Sequence, residues 1–176
     1  MPSFDSKYCL TCPYRNQKHL PPEWQQKRDN VPLEVEDNES DILLVIQAPG
    51  EAEWKAGKPL QPTTKQGGTA GIRVEQSWGR KGKQRADFNI TNAVQCFPGK
   101  ADGRDLPPDL QAVQACSGWL RDALNDGQYR QVIALGDVAS LAVGFVVALE
   151  GLSCEVKHVT HPNGGLKSAD LDALWE

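Results

Sequence analysis

The chain has 176 residues, 39% of them hydrophobic, and a net charge of −4, which suits a single domain over residues 1–176 with one moderate core. No apolar run approaches the roughly 20 residues that cross a bilayer, and residues 1–12 hold no apolar leader core, so a cytoplasmic monomer is expected. In a reducing compartment the five cysteines point to metal binding before disulfides, and the net acidity argues against a uniformly basic nucleic-acid binder.

In chain order, the first feature is a C-x-x-C pair, Cys9 and Cys12, followed by Pro13. Acidic residues then gather at Glu34, Glu36, Asp37, Glu39 and Asp41, just before an apolar, β-branched run at 42–47 that reads as a buried strand. The stretch 59–83 is rich in Gly, Lys and Gln and is expected to be partly loop. Further strands are expected at 88–94, 131–135 and 156–160, with helices at 107–124, where Pro107 and Pro108 suit a helix start, and at 137–149. Strands alternating with helices predict an α/β fold, a three-layer α/β/α sandwich with a central four-stranded, mainly parallel sheet.

Ligands of such sheets bind beyond the carboxyl ends of the strands, which places chemistry after Gln47, Asn92, Gly136 and Thr160. Three of those places carry unusual residues: Gln47-Ala48-Pro49-Gly50, then Thr91-Asn92-Ala93-Val94-Gln95-Cys96, and His161-Pro162-Asn163. Cys96 and Cys116 lie far from the C-x-x-C pair, yet two close and two distant thiolates can complete a four-thiolate site. Zinc and a [4Fe–4S] cluster both accept that set, and the spacing does not choose between them; buried apolar cysteines are the alternative. Cys154 reads as an ordinary core residue. Within 55–85, Lys55, Lys58, Lys65, Lys81, Lys83 and Arg85 form a cationic run, either a solvated face or a segment that tracks DNA phosphates.

Taken together and in this order, A-P-G after the first strand, T-N-x-V-x-C at the second, C-x-x-W-L in the next helix, V-I-A-L-G-x-x-A at the third strand and H-P after the fourth resemble the uracil-DNA glycosylase superfamily, most closely its iron–sulfur family 4. The resemblance runs from Cys9 to about Pro162. It implies a structural [4Fe–4S] cluster on Cys9, Cys12, Cys96 and Cys116, and a DNA substrate whose pyrimidine base is extruded into a pocket. Asn92 falls on the asparagine that reads the base, and His161 on the histidine that hydrogen-bonds O2 as charge develops on the leaving base.

Gln47, Ala48, Pro49 and Gly50 would then cover the sugar and the attacking water. Family 4 enzymes have Glu where this chain has Gln47; Glu51 and Glu53 are the candidates to replace it. They have Phe where this chain has Leu60, with Trp54 or Trp78 as substitute stacking partners. The uracil-specific branch of the superfamily has Tyr at Gly50, so the C5 side of the base is expected to be open here. Uracil is the family's default substrate. A 5-substituted or glucosylated cytosine of bacteriophage DNA, in an anti-phage role, is the alternative these departures suggest, and an inactive DNA-binding module of the same fold is the third reading.

Overall fold

The computed structural model describes residues 3–28, 31–61 and 70–176. Four strands form one sheet: β1 (Ile42–Ile46), β2 (Asn89–Asn92), β5 (Gln131–Leu135) and β6 (Glu155–Val159), in the order β2-β1-β5-β6 with every pairing parallel. Between β2 and β5 a small hairpin joins β3 (Lys100–Ala101) to β4 (Arg104–Asp105).

The sheet is covered on both faces, and the sequence of each central strand divides between them. Leu43 and Val45 of β1, with Val132 and Ala134 of β5, face a core shared with α3 (Leu110–Gly127) and α4 (Asp137–Glu150). Leu44, Ile46, Ile133 and Leu135 face the other core, closed by Val74 and Trp78 of α2 (Ala70–Arg80) and by Leu171 of α5 (Ser168–Asp172) and Trp175. A continuous apolar run is what period-2 alternation requires when both faces are buried. The expected three layers and parallel sheet are therefore present.

Local chemistry moved several boundaries. Helix α3 starts at Leu110 rather than 107, because the Asp109 carboxylate accepts the backbone N–H of Gln111 and caps the helix there. β2 ends at Asn92 rather than 94; Ala93 and Val94 still donate to the carbonyls of Ile46 and Gln47, so the chain stays beside β1 as it turns. Of the stretch 59–83, expected to be partly loop, Ala70–Arg80 is helix α2. Trp78 stacks on Phe88, and Ser77 hydrogen-bonds Asp172 and accepts the Trp175 indole N–H at 2.8 Å, which ties α2 to the chain's end. The short helix α1 (Glu51–Ala56) follows β1 directly, with Gly50 as its N-cap. No helix among the described residues is long and apolar enough to cross a membrane.

Candidate functional site

A cavity of about 520 Å³ opens beyond the carboxyl ends of β1, β2 and β6. Its walls carry Gln47, Ala48, Pro49, Gly50 and Glu53 from the β1–α1 turn, Asn92 from the end of β2, Leu60, and His161 from the loop after β6. Residues distant in sequence thus meet where the parallel topology places strand ends.

Asn92 is 1% exposed, and its side-chain nitrogen has no hydrogen-bond partner. Leaving a buried donor unsatisfied costs about 1–3 kcal/mol. The backbone at this point is fixed: Ile46 pairs with Asn92 in the sheet, and the Gln95 amide donates to the Asn92 carbonyl at 2.6 Å.

His161 is half-buried, and its Nδ1 accepts the backbone N–H of Asn163 at 3.2 Å. Burial, with the Arg73 charge adding to it, holds the imidazole below its usual pKa. A neutral ring whose Nδ1 is an acceptor carries its proton on Nε2, leaving that atom as a donor. Gly136 makes the close approach possible: a side chain there would press on His161 Cβ at 3.1 Å, and its φ of +102° suits glycine.

The two candidate glutamates separate. Glu51 bonds Lys100 and Lys55, which hold its carboxyl down at about 2, and it does not line the cavity. Glu53 does line it, and burial pushes its carboxyl up. The space at Gly50 is also not open as expected. A Cβ built there would lie 2.6 Å from Asp105 Oδ2 and 2.8 Å from Glu53 Oε2, so two carboxylates occupy the room a side chain would take. Leu60 is buried at 3% exposure and held at φ +48°; Arg85 donates to the carbonyls of Pro59 and Leu60 at 2.6 and 2.8 Å while pairing with Glu36 at 2.7 Å. Neither Trp54 nor Trp78 replaces a stacking ring at the cavity. Both are core residues, Trp54 bonded to the Trp24 carbonyl and Trp78 stacked on Phe88.

Asn163, from the His161-Pro162-Asn163 stretch, lines the cavity as well, and so do Arg104 and Asp105, which were not singled out in the sequence. The signal for the latter two was Asp102-Gly103, both at positive φ, a dipeptide that closes two-residue hairpins. Of the cationic run, Lys65 lies outside the described residues. Lys55 pairs with Glu51, Lys81 with Glu176, and Arg85 is committed to Glu36 and the 59–60 carbonyls, which takes it from an open phosphate contact to a brace for Leu60. Lys58 and Lys83 are exposed and make no ion pair among the described residues.

The four cysteines are all buried, and they influence one another. Cys12 and Cys116 share a hydrogen bond that draws the first down and the second up, and the Cys96 thiol is raised by burial and then by Cys12 and Cys9. Among the described residues no three His, Cys, Asp or Glu side chains are grouped so as to hold a single metal ion. The donor set nonetheless fits an anionic sulfur cluster: the Nε–H of Arg15 and the indole N–H of Trp119 are buried without partners, while burial raises the Cys9 thiol. Cys154 is only partly buried and stands apart from this group.

The family model described as the uracil DNA glycosylase superfamily matches residues 33–175. The chain is 29% identical over 137 residues to the type-4 uracil-DNA glycosylase of Pyrobaculum aerophilum, with 78% of this chain and 60% of that protein covered. It is 30% identical over 133 residues to that of Thermotoga maritima, covering 76% and 59%, and 31% identical over 114 residues to that of Saccharolobus solfataricus, covering 64% and 48%. The matched segment thus spans at most about three-fifths of these relatives.

Proposed function

This chain belongs to the uracil DNA glycosylase superfamily, and from that membership and the cavity we propose that it is a DNA glycosylase hydrolysing the bond between C1′ and N1 of an extruded pyrimidine. The observation that carries the reading is the buried, partnerless Asn92 amide on a wall shared with His161. Its nitrogen lacks an acceptor, which the carbonyl of a flipped base supplies, offsetting a cost the empty pocket bears. His161, neutral with its proton on Nε2, donates to a second carbonyl as the C1′–N1 electron pair passes to the base; one such donor contributes about 3 kcal/mol in other enzymes. Gln47 and Glu53 border the sugar side, where an amide can orient water and a carboxylate can offset the positive charge growing on C1′.

Uracil is the first substrate to consider, since the relatives carry that base in their names. A 5-substituted pyrimidine is the second reading. It is favoured by Leu60, which lines the cavity where a stacking ring is expected. Cys9, Cys12, Cys96 and Cys116 are assigned to a [4Fe–4S] cluster whose contribution is to cross-link the N-terminal segment to the turn after β2 and to α3. Lys58 and Lys83, with Lys55, Lys65 and Lys81, are assigned to DNA phosphates.

Base release, read as alkali-labile strand cleavage, should be measured on matched oligonucleotides, single- and double-stranded, carrying uracil, 5-hydroxymethylcytosine or its glucosylated form. Release from at least one is expected. Tight binding with no release from any of them would leave a DNA-binding module and overturn the proposal.

A further inference from the structure

Resting on the glycosylase reading, we propose that Asp105, reaching over Gly50 from the β3–β4 hairpin, is the carboxylate that accepts the proton of the water attacking C1′, with Glu53 beside it holding that water in place. The β1–α1 turn contains no other group for the task. Gln47 has an amide, which cannot take up a proton, and Glu51 is turned to Lys100 and Lys55, off the cavity wall. The carboxylates that do line the cavity are Glu53 and Asp105, and their oxygens crowd the same point above Gly50.

The two differ in what they have left to offer. Glu53 is half-buried at the start of α1, and desolvation raises its carboxyl. Asp105 has Lys100 as its nearest cation, 3.9 Å away, and its side chain is 45% exposed. It lines the cavity, where a water would stand. The charged groups facing it are Lys100 on its own hairpin, Glu51 and Glu53 of α1, the adjacent Arg104, and His161 across the cavity. Desolvation raises the Asp105 carboxyl and outweighs Lys100, while Asp105 in turn raises Glu53.

The step balances. A water oxygen bonds to C1′, the C1′–N1 electron pair leaves on the base, and the water proton passes to Asp105, which returns it to solvent. Gly50 then has a purpose set by packing: any side chain there would displace both carboxylates.

Single-turnover release from the best oligonucleotide of the panel should be measured against pH for wild type, Asp105→Asn and Asp105→Glu, with melting midpoints alongside. Asp105→Asn should release base about 100-fold more slowly, the scale of a lost general base, with half-saturating protein concentration unchanged. Its residual acid limb should move to lower pH, because Glu53 loses the neighbouring negative charge, and Asp105→Glu should recover part of the rate. A wild-type rate in Asp105→Asn overturns the proposal, and so does a slower rate with an unmoved acid limb or with a lowered midpoint. Absence of release by wild type sinks the glycosylase reading itself, whereas release undiminished in Asp105→Asn sinks only the role of Asp105.

Discussion

The cysteine region and the strand-end cavity handle buried polarity in opposite ways. Around Cys12, Cys96 and Cys116 the thiols are deep in the α3–α4 core and act on one another. At the cavity, Asn92 is just as buried but its amide nitrogen is left without a partner, and His161 is kept neutral with Nε2 as a donor. On the proposed reading, the first region turns polar groups to stability and the second keeps that pairing for a ligand. Substitutions should therefore separate the two, with stability changing at one and turnover at the other.

The largest effect should come from Cys116→Ala. Losing a thiolate that joins α3 to the N-terminal segment should cost about 4 kcal/mol, or roughly 10 °C in melting midpoint for a chain of this length, and remove the brown colour of the anaerobically purified protein. A colourless wild type, or a variant that melts with wild type, would erase the contrast from that side.

His161→Ala should lower base release about 100-fold with little change in midpoint. This residue also sets a sign for acid. Its folded pKa lies below the ordinary imidazole value of 6.5, so the unfolded chain binds the proton more readily, and stability from this group is lost as pH falls below that value. The acid-induced drop in midpoint should shrink in His161→Ala; an unchanged drop would mean the ring is not held neutral by the fold.

Lys83→Ala should have the smallest effect, weakening binding to all DNA sequences alike and reducing the salt dependence by about one unit. An unaltered slope would remove Lys83 from the phosphate-contacting set and leave the cationic run as a solvated face.

The sheet was legible because its central strands are apolar on both sides, and Asn92 and His161 were legible because the topology puts strand ends at the site. Helix α2 was not, since its buried face of Gly71, Val74, Ser77 and Trp78 holds only two large apolar side chains and its burial depends on Trp175 and Phe88 arriving from elsewhere. Asp105 was hidden for a similar reason: its nearness to Gly50 is created by a hairpin folding back across α1, and no spacing along the chain encodes that approach. The pairing of Arg85 with Glu36 was not legible, because charge along the sequence does not reveal so distant a partner.

The account turns on Asn92, so the most direct measurement is the single-turnover rate of base release by Asn92→Ala together with its melting midpoint. The rate should fall about 100-fold while the midpoint holds or rises, because the substitution deletes an unsatisfied buried donor whose cost is about 1–3 kcal/mol. A wild-type rate, or a midpoint that falls in step with the rate, would show that the amide serves the fold and contradict its assignment to the base.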